Sequence, residues 1–364
     1  MLRAATLRPA LILVLVAGLT GCGGGASDNP SPRSATPTAP SSEPGSPGET
    51  PLPTGPATVA LAELEHLEIA LSGGPDFPVG LDGSVWILAP DGPLRSGGQQ
   101  ALVYRLDAAS GEVVAEIPID GRLCQGLNAG YGSVWACTDH GLARIDPATD
   151  EVVADVAFDT AQVFTRPAIG GDRVWALGGR ALPDSVVEID PDSNEVVATH
   201  RLGHTAATLS YGDGAVWVTA PSDGLLLRLD EVSGEVTVHA EDLPNPWTVS
   251  HGAGSLWIGL YGAHGGDRAA PDEPTIARIS PEDGSIQAMV DIGSDTTSEM
   301  DIWPDDDAAW VRSPNDPFLL RVDPSTNEVD LAVQGFHSGG SLAVIEGAVW
   351  TTSIEFQTVW RIEP

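Results

Sequence analysis

The stretch GYGSVWACT, residues 130–138, places a tryptophan in a short apolar run just after a glycine turn. The same arrangement recurs along the chain, centred on Trp86, Trp135, Trp175, Trp217, Trp257, Trp310 and Trp350. The spacings between successive tryptophans are 49, 40, 42, 40, 53 and 40 residues. A recurring spacing near 40 residues indicates a fold assembled from copies of one supersecondary unit.

A second motif follows the tryptophan in each unit and predicts a β-hairpin. It reads ARIDPATDEVV at residues 143–153 and VEIDPDSNEVV at residues 187–197. The Asp-Pro pair suits the start of a type I turn, and Asp150 and Asn194 tolerate the positive φ that a bulged hairpin requires. Together with the hairpin that carries the tryptophan, each unit has four antiparallel strands. Seven such units predict an all-β, seven-bladed β-propeller.

Two details of the repeat follow from this geometry. The second strand of a blade lies between neighbouring blades, so both its faces are buried and it reads as a continuous apolar run, as in residues 134–136. In the third strand an arginine recurs, for example Arg144 and Arg228, with an acidic residue two places later. Because residues two apart on a strand share a face, the sequence predicts structural Arg–Asp pairs within this strand in most units, with Glu188 at the arginine position of the third unit.

The chain ends after the third strand of the seventh unit, so one outer strand is missing. Glu112 of the hairpin motif lies 23 residues before Trp135, and the same distance before Trp86 leads to Glu63. We therefore expect Glu63–Leu71 to supply the outer strand of the last blade. Such closure removes the free sheet edges that promote aggregation.

The N-terminus has the pattern of an export signal. Arg3 and Arg8 precede the apolar run Ala10–Leu19, which is too short to span a bilayer. Residues 19–22, Leu-Thr-Gly-Cys, resemble the bacterial lipobox, and this resemblance implies cleavage before Cys22 and lipidation of Cys22. We therefore predict a signal peptide over residues 1–21 and an extracytoplasmic protein held to the membrane by its lipid anchor alone.

The remaining chain divides into a linker and one domain. Residues 22–57 are rich in Gly, Ser, Thr and Pro with few apolar side chains, so they are predicted to be a disordered linker. Residues 58–364 form the propeller, which is expected to be a monomer.

Charge excludes two classes of partner. The chain has 17 basic and 51 acidic residues, a formal net charge of −34, and all its basic residues are arginine, a composition typical of a GC-rich bacterial genome. Nucleic acid binding needs clustered cations, and so does electrostatic attachment to an anionic membrane. The acidity is expected to form a solubilising surface, with a cation site among the carboxylates as the alternative.

Repeats of the form G-x-G-S-V-W-V followed by R-I-D-P-x-T-G-E-V-V resemble YVTN-type propellers and, more distantly, streptogramin B (virginiamycin B) lyases. The resemblance covers residues 58–364. The lyase resemblance implies a magnesium-assisted elimination, with catalytic Glu and His residues at the channel mouth. In that family the tryptophan strand ends W-F-T-E, whereas Thr138 stands at the glutamate position after Trp135. His140 fits the position of a family histidine, but the catalytic pattern as a whole is not preserved.

The preferred interpretation is a ligand- or protein-binding, or sensor, module whose partner is a small molecule, a peptide or a cell-envelope protein. The alternative is a lyase-like or hydrolytic enzyme that uses a divalent cation such as Mg²⁺. In either case the site is expected at the channel mouth, which is built by the loops entering each first strand and by the loops joining the second and third strands. The candidate ligand-binding residues at these positions are Asp76, Gln125, His140, Arg166, His204, Trp247, His264, Glu299 and His337.

Two cysteines flank the turn of the opening motif. Cys124 and Cys137 lie on adjacent predicted strands, nearly opposite each other. In an exported protein this arrangement predicts either a disulfide or a pair of buried free thiols.

Overall fold

The structure is a computed structural model that describes residues 55–90, 101–121, 123–159, 165–179, 181–261, 276–292, 300–336 and 338–364, without the side chains of residues 123–125. The predicted signal peptide, Cys22 and nearly all of the predicted linker lie outside these residues. Within them, no helix is both long and apolar enough to cross a bilayer.

The described chain is almost entirely β-structure. Its two short 3-10 helices are Leu61–Glu63 and Pro221–Asp223. Its strands are β1 (Ala57–Ala60), β2 (His66–Ala70), β3 (Asp76–Leu81), β4 (Ser84–Ala89), β5 (Ala101–Asp107), β6 (Val113–Ile119), β7 (Leu123–Gly130), β8 (Ser133–Thr138), β9 (Gly141–Asp146), β10 (Glu151–Ala157), β11 (Ala168–Gly170), β12 (Arg173–Leu177), β13 (Ser185–Asp190), β14 (Glu195–Arg201), β15 (Leu209–Gly212), β16 (Ala215–Ala220), β17 (Leu225–Asp230), β18 (Val236–Ala240), β19 (Pro246–Gly252), β20 (Ser255–Leu260), β21 (Ile276–Ile279), β22 (Ile286–Val290), β23 (Asp301–Pro304), β24 (Ala309–Arg312), β25 (Leu319–Asp323), β26 (Glu328–Gln334), β27 (Leu342–Ile345), β28 (Ala348–Ser353) and β29 (Thr358–Ile362).

These strands form seven separate sheets, which confirms the predicted seven-bladed β-propeller. Blades 1 to 6 take four consecutive strands each, from β3–β6 to β23–β26, and blade 7 contains β27–β29 and β2. The strands within these four-stranded meanders pair antiparallel. Each blade therefore corresponds to one copy of the sequence repeat.

The tryptophan strand is buried on both faces, as the sequence predicts. Every residue of β8 and of β16 is buried, and Trp135 and Trp217 have no solvent exposure. The Trp217 indole N–H donates a hydrogen bond of 3.0 Å to the carbonyl of Gly212, five residues earlier. The ring thus fills the space between blades while its polar atom is satisfied.

Glycine at the end of a first strand lets neighbouring blades approach closely. A Cβ on Gly170 would lie 1.9 Å from the Tyr211 ring of the next blade. A larger residue at this position would therefore force blades 3 and 4 apart.

The recurring arginines have a different partner from the one predicted. Arg144 donates to the Asn194 side chain at 2.8 Å and to the Pro191 carbonyl, both in the hairpin turn of the next blade, and its guanidinium lies over the Trp135 ring. Only Arg228 and Arg361 form the predicted pair with the acidic residue two places later, among the arginines that the structure describes. The prediction of in-strand pairs was wrong for Arg144 because a long guanidinium reaches the neighbouring turn, where it gains both a carbonyl and a side-chain acceptor.

The N-terminal segment closes the ring. Strand β2 pairs antiparallel with β29, with Ile69 opposite Val359, which confirms the outer strand predicted over Glu63–Leu71. The sequence did not predict β1, which pairs in parallel with β26, the outer strand of blade 6. Leu61 follows β1 and packs into the cluster that contains Phe318. The chain entering the propeller is thus attached to two successive blades.

Candidate functional site

A cavity of about 740 Å³ lies at the centre of the ring and is lined by residues in or just before the first strands of all seven blades. Blades 3 to 6 supply most of its wall, through Thr165–Ile169, Thr208–Tyr211, Trp247–His251 and Met300–Pro304. The loops that join second and third strands contribute Pro221, Ser222, Tyr261 and Ile354. We call the end of the cavity formed by these loop residues, together with Asn245 and Trp247, the entry mouth.

Two β-bulges shape the wall at this end. In blade 1 the register shifts between Asp76 and Val79, and Phe77 has a φ of 51°. In blade 5 it shifts between Pro246 and Thr248, so Trp247 is the extra residue of the strand. A bulge breaks the alternation of side chains and turns one of them away from the sheet. Here it brings Phe77 and Trp247 into the cavity wall.

Arg166 joins blades from different parts of the ring. Its guanidinium donates hydrogen bonds to the carbonyls of Pro78 at 2.9 Å, Leu127 at 3.3 Å and Leu342 at 2.9 Å. It also donates to the Asp301 carboxylate at 3.1 Å. Arg166 precedes the first strand of blade 3, so these contacts tie that blade to blades 1, 2, 6 and 7.

Aromatic rings and burial complete the environment of this arginine. The guanidinium lies 5.0 Å from the centroid of the Phe77 ring and 5.2 Å from that of the Trp303 ring. The side chains of Arg166 and Asp301 are only 14% and 17% exposed. The buried Nε of Arg166 has no hydrogen-bond partner within the described residues. Most of the cationic group is therefore already bound by the protein's own atoms.

Asp76 is a buried carboxyl group beside this arginine. Its Oδ1 accepts hydrogen bonds from the Ser341 hydroxyl at 2.5 Å, the Phe77 amide at 2.9 Å and the Thr352 hydroxyl at 3.3 Å. Burial raises the pKa of Asp76 to about 6, an effect opposed mainly by the hydrogen bonds from Ser341 and Phe77. Asp76 therefore changes its charge in the wall of the cavity in mildly acidic solution.

We expect Asp76→Asn to flatten the dependence of stability on pH. Because folding raises the pKa, the stabilising contribution of protonated Asp76 is fully present below about pH 4 and is lost as the pH rises through about 6. Asn keeps the Oδ1 acceptor but carries no charge. Between pH 4 and pH 7.5, wild type should therefore lose on the order of 3 kcal/mol of unfolding free energy relative to the variant.

Urea denaturation of both proteins at four pH values measures this difference. Contributions from every other titrating group cancel to first order in the comparison. Parallel stability curves for wild type and Asp76→Asn would show that the carboxyl group titrates normally.

The hydroxyl groups of the inner strands hold neighbouring blades together. Thr208 donates to the Trp247 carbonyl at 2.7 Å, Thr248 to the Met300 carbonyl at 2.8 Å, and Ser250 to the Ile302 carbonyl at 2.6 Å. These groups are committed to backbone acceptors of the next blade. Much of the polar wall is thus satisfied before any ligand arrives.

The entry mouth at blade 5 is different. Trp247 is 37% exposed, and the rings of Trp247 and Tyr261 stack with an interplanar angle of 8° and a centroid distance of 5.6 Å. Asn245 has a φ of 51° and its carbonyl accepts a hydrogen bond from the Tyr261 amide at 3.1 Å. The side chains of Asn245 and Ser222 make no hydrogen bond within the described part of the chain. This mouth offers an aromatic face together with available polar groups.

The structure places three of the candidate ligand-binding residues in the cavity wall, namely Asp76, Arg166 and Trp247. His140 and His204 are not among the lining residues, and their ring nitrogens hydrogen-bond to Asp139 at 3.0 Å and Asp223 at 2.9 Å. The Gln125 side chain and the residues His264, Glu299 and His337 lie outside the described part. A ligand-binding role for each of the nine stays a prediction.

The other lining residues were not among the candidates, and Asp301, Trp303 and Tyr261 are three of them. Asp301 and Trp303 lie in blade 6, where the sequence DIWPDDD replaces the glycine turn of the repeat. Tyr261 follows a tryptophan strand that resembles all the others. The unusual tryptophan at position 303, four residues after the candidate Glu299, was the available signal for the first two.

The structure bears on the predicted disulfide and on the predicted metal site only in part. Cys137 is disulfide-bonded, while the side chain of its predicted partner, Cys124, is outside the described part, so that pairing stays a prediction. Among the described residues, no cluster of three His, Cys, Asp or Glu side chains is arranged to hold a metal ion. The magnesium alternative stays a prediction, because the candidates His264, Glu299 and His337 lie outside the described residues.

No family model matches the chain, and a search of curated proteins found no match in sequence. Solved structures do resemble it. A streptogramin B lyase aligns with a TM-score of 0.62 and 16% identity, over 84% of this chain and 99% of that one. Virginiamycin B lyase from Staphylococcus aureus aligns with a TM-score of 0.61 and 16% identity, over 82% and 99%.

BamB from Moraxella catarrhalis aligns less closely, with a TM-score of 0.53 and 13% identity, over 82% of this chain and 96% of that one. At such low identities these similarities establish the fold and nothing about activity. The chain is a seven-bladed β-propeller, and its predicted resemblance to streptogramin B lyases is confirmed at the level of the fold.

Proposed function

We propose that this protein is a binding or sensor module that holds a ligand in the cavity of its propeller, without catalysing a reaction. The observation that carries the proposal is the cavity of about 740 Å³, whose size suits a small molecule or a short peptide segment. Two of its charged residues, Arg166 and Asp301, are paired with each other and with backbone groups. The pair of Arg166 and Asp301 is thus held in place and suits recognition of a ligand, whereas Asp76 is the lining carboxyl group that the enzymatic alternative would use.

The proposal includes attachment to the outer surface of the cytoplasmic membrane. It rests on the apolar segment, on the lipobox-like residues 19–22 and on the Pro-rich stretch before the propeller. A monomeric domain on such a tether would present its cavity to ligands or to other envelope proteins. Labelling with a radioactive fatty acid tests the anchor, because wild type should incorporate label and Cys22→Ala should not.

A thermal-shift screen of the full-length chain tests the binding function. The probes are neutral sugars, short peptides, macrolactone antibiotics and Mg²⁺, each added alone, with the antibiotics also added together with Mg²⁺. Because a ligand that binds only the folded state raises the melting temperature, we expect an increase with at least one organic probe in the absence of metal. An increase that requires both Mg²⁺ and a streptogramin would instead support the lyase alternative.

A further inference from the structure

The entry mouth at blade 5 has the chemistry of a binding site for one class of ligand. We infer that it binds a neutral saccharide, with Trp247 as the stacking surface and with Asn245 and Ser222 as the groups that recognise hydroxyls. This inference rests on the proposed binding function and assigns its ligand class.

The Trp247 indole offers an accessible aromatic surface. One face of the Trp247 indole is covered by the parallel ring of Tyr261, and 37% of the residue remains accessible. Of the ten tryptophans in the chain, Trp247 is the most exposed, and eight of the others are at most 5% exposed. A flat, supported and accessible ring stacks on ligands that present a flat apolar face.

The backbone that holds this ring is irregular and firmly bonded to its neighbours. Trp247 is the extra residue of a β-bulge, and its carbonyl accepts hydrogen bonds from Thr208 at 2.7 Å and Thr219 at 2.6 Å. Asn245, two residues earlier, occupies the left-handed region with a φ of 51°. Irregular backbone that is held firmly by its surroundings is typical of binding sites. The platform is therefore fixed before a ligand arrives.

Two polar side chains, Asn245 and Ser222, lie beside this ring at the entry mouth. The Asn245 amide carries both donors and an acceptor, and the Ser222 hydroxyl carries one donor and two acceptor positions. Neither side chain has a hydrogen-bond partner in the described part of the protein. A purely apolar ligand would remove water from these groups without replacing it, which is unfavourable. A ligand that both donates and accepts at its edges satisfies them.

The charge of the protein favours a neutral ligand over an anion. The chain carries a formal net charge of −34, and the described lining residues include the carboxylates of Asp76 and Asp301 and the guanidinium of Arg166. This potential disfavours phosphates, carboxylates and other anions. A neutral pyranose sugar carries no charge, presents an apolar face of C–H groups that can stack on an indole, and has hydroxyls around its edge.

The test is a fluorescence titration of the full-length chain in a detergent without a sugar headgroup. The probes are tetramers of β-linked glucose and of N-acetylglucosamine, compared with a nucleoside and with a neutral dipeptide that contains phenylalanine. We expect at least one saccharide to change tryptophan emission and to protect it from quenching by acrylamide. Trp247 should dominate that protection because eight of the other nine tryptophans are already shielded, at most 5% exposed.

Variants assign the effect to the mouth. Trp247→Ala should weaken saccharide binding about tenfold or more through the loss of the stacking surface, measured by calorimetry. Asn245→Gly keeps a residue that accepts positive φ, so the backbone is retained and only the amide is lost, with an expected weakening of about fivefold. Phe356→Ala removes another exposed aromatic ring, 56% accessible and outside the cavity lining, and should leave the affinity unchanged.

Each other outcome is informative. Saccharide binding that is undiminished in Trp247→Ala overturns the inference, and so does the absence of binding to every saccharide. If the dipeptide or nucleoside binds and loses affinity in the same variants, the site is a binding mouth for another class, and the proposed function survives. If no probe of any kind binds, both the inference and the proposed function fail.

Discussion

Replacing Arg166 by methionine should destabilise the propeller by about 3–5 kcal/mol. The substitution removes one partner of a mostly buried ion pair and leaves Asp301, whose side chain is 17% exposed, without its cation. It also removes the donor to the carbonyls of Pro78, Leu127 and Leu342, which belong to three blades. The methionine stem preserves most of the apolar volume, so the loss reports on the charge and the hydrogen bonds. A decrease of this size is a large fraction of the stability of a typical domain.

Three further variants make this experiment specific. Arg201→Met removes an arginine that is 59% exposed and paired with Asp184, and it should change the unfolding free energy by less than about 0.5 kcal/mol. Arg166→Lys keeps the charge but cannot direct donors to four acceptors. Its loss of unfolding free energy should therefore lie between those of Arg201→Met and Arg166→Met. Adding Asp301→Asn to Arg166→Met should recover part of the stability. Urea denaturation provides all four values, and equal losses for Arg166→Met and Arg201→Met would contradict a special role for Arg166.

The fold was predictable because each unit repeats one physical requirement. A tryptophan strand that is buried on both faces must be apolar throughout, and it carries that pattern wherever it occurs, as at Trp135 and Trp217. Ring closure was predictable for the same reason. Counting back 23 residues from Trp86, the interval that separates Glu112 from Trp135, reaches Glu63, just before the strand that pairs with β29.

The centre of the cavity was not predictable in the same way. Arg166 was identified from its position before a first strand, yet its partners Asp301 and Leu342 are 135 and 176 residues away in sequence. No local pattern specifies which side chain reaches across a ring. The stacking of Trp247 on Tyr261 likewise depends on a bulge and on a loop after a second strand, neither of which changes the repeat motif.

Strand β1 was missed because its residues carry no burial signal. Its sequence, Ala-Thr-Val-Ala, follows a Pro-rich stretch, and three of its four residues are exposed. It is held by backbone pairing to β26, which any sequence can provide. An edge strand of this kind is specified by the blade that receives it.

Removing the closing strand should have a still larger effect than removing Arg166. A chain that lacks residues 2–71 loses β2, whose five residues pair with β29, and also buried Leu61 and Leu71. At about 1 kcal/mol for each ladder hydrogen bond and about 1.5–3 kcal/mol for each buried leucine, the loss is on the order of the stability of a whole domain.

The matched control lacks residues 2–60 and so loses β1 while it keeps Leu61 and β2. This chain loses the four-residue ladder between β1 and β26 but no buried leucine, so it should melt below wild type but still in one cooperative transition. The longer deletion should melt without a cooperative transition and form aggregates through the open edge of β29. Circular dichroism and size-exclusion chromatography measure both effects, and a synthetic peptide of residues 61–72 should restore cooperative melting by pairing with β29. Equal melting temperatures for the two deletions would mean that the ring is held closed by contacts between blades alone, and that β2 adds nothing to its stability.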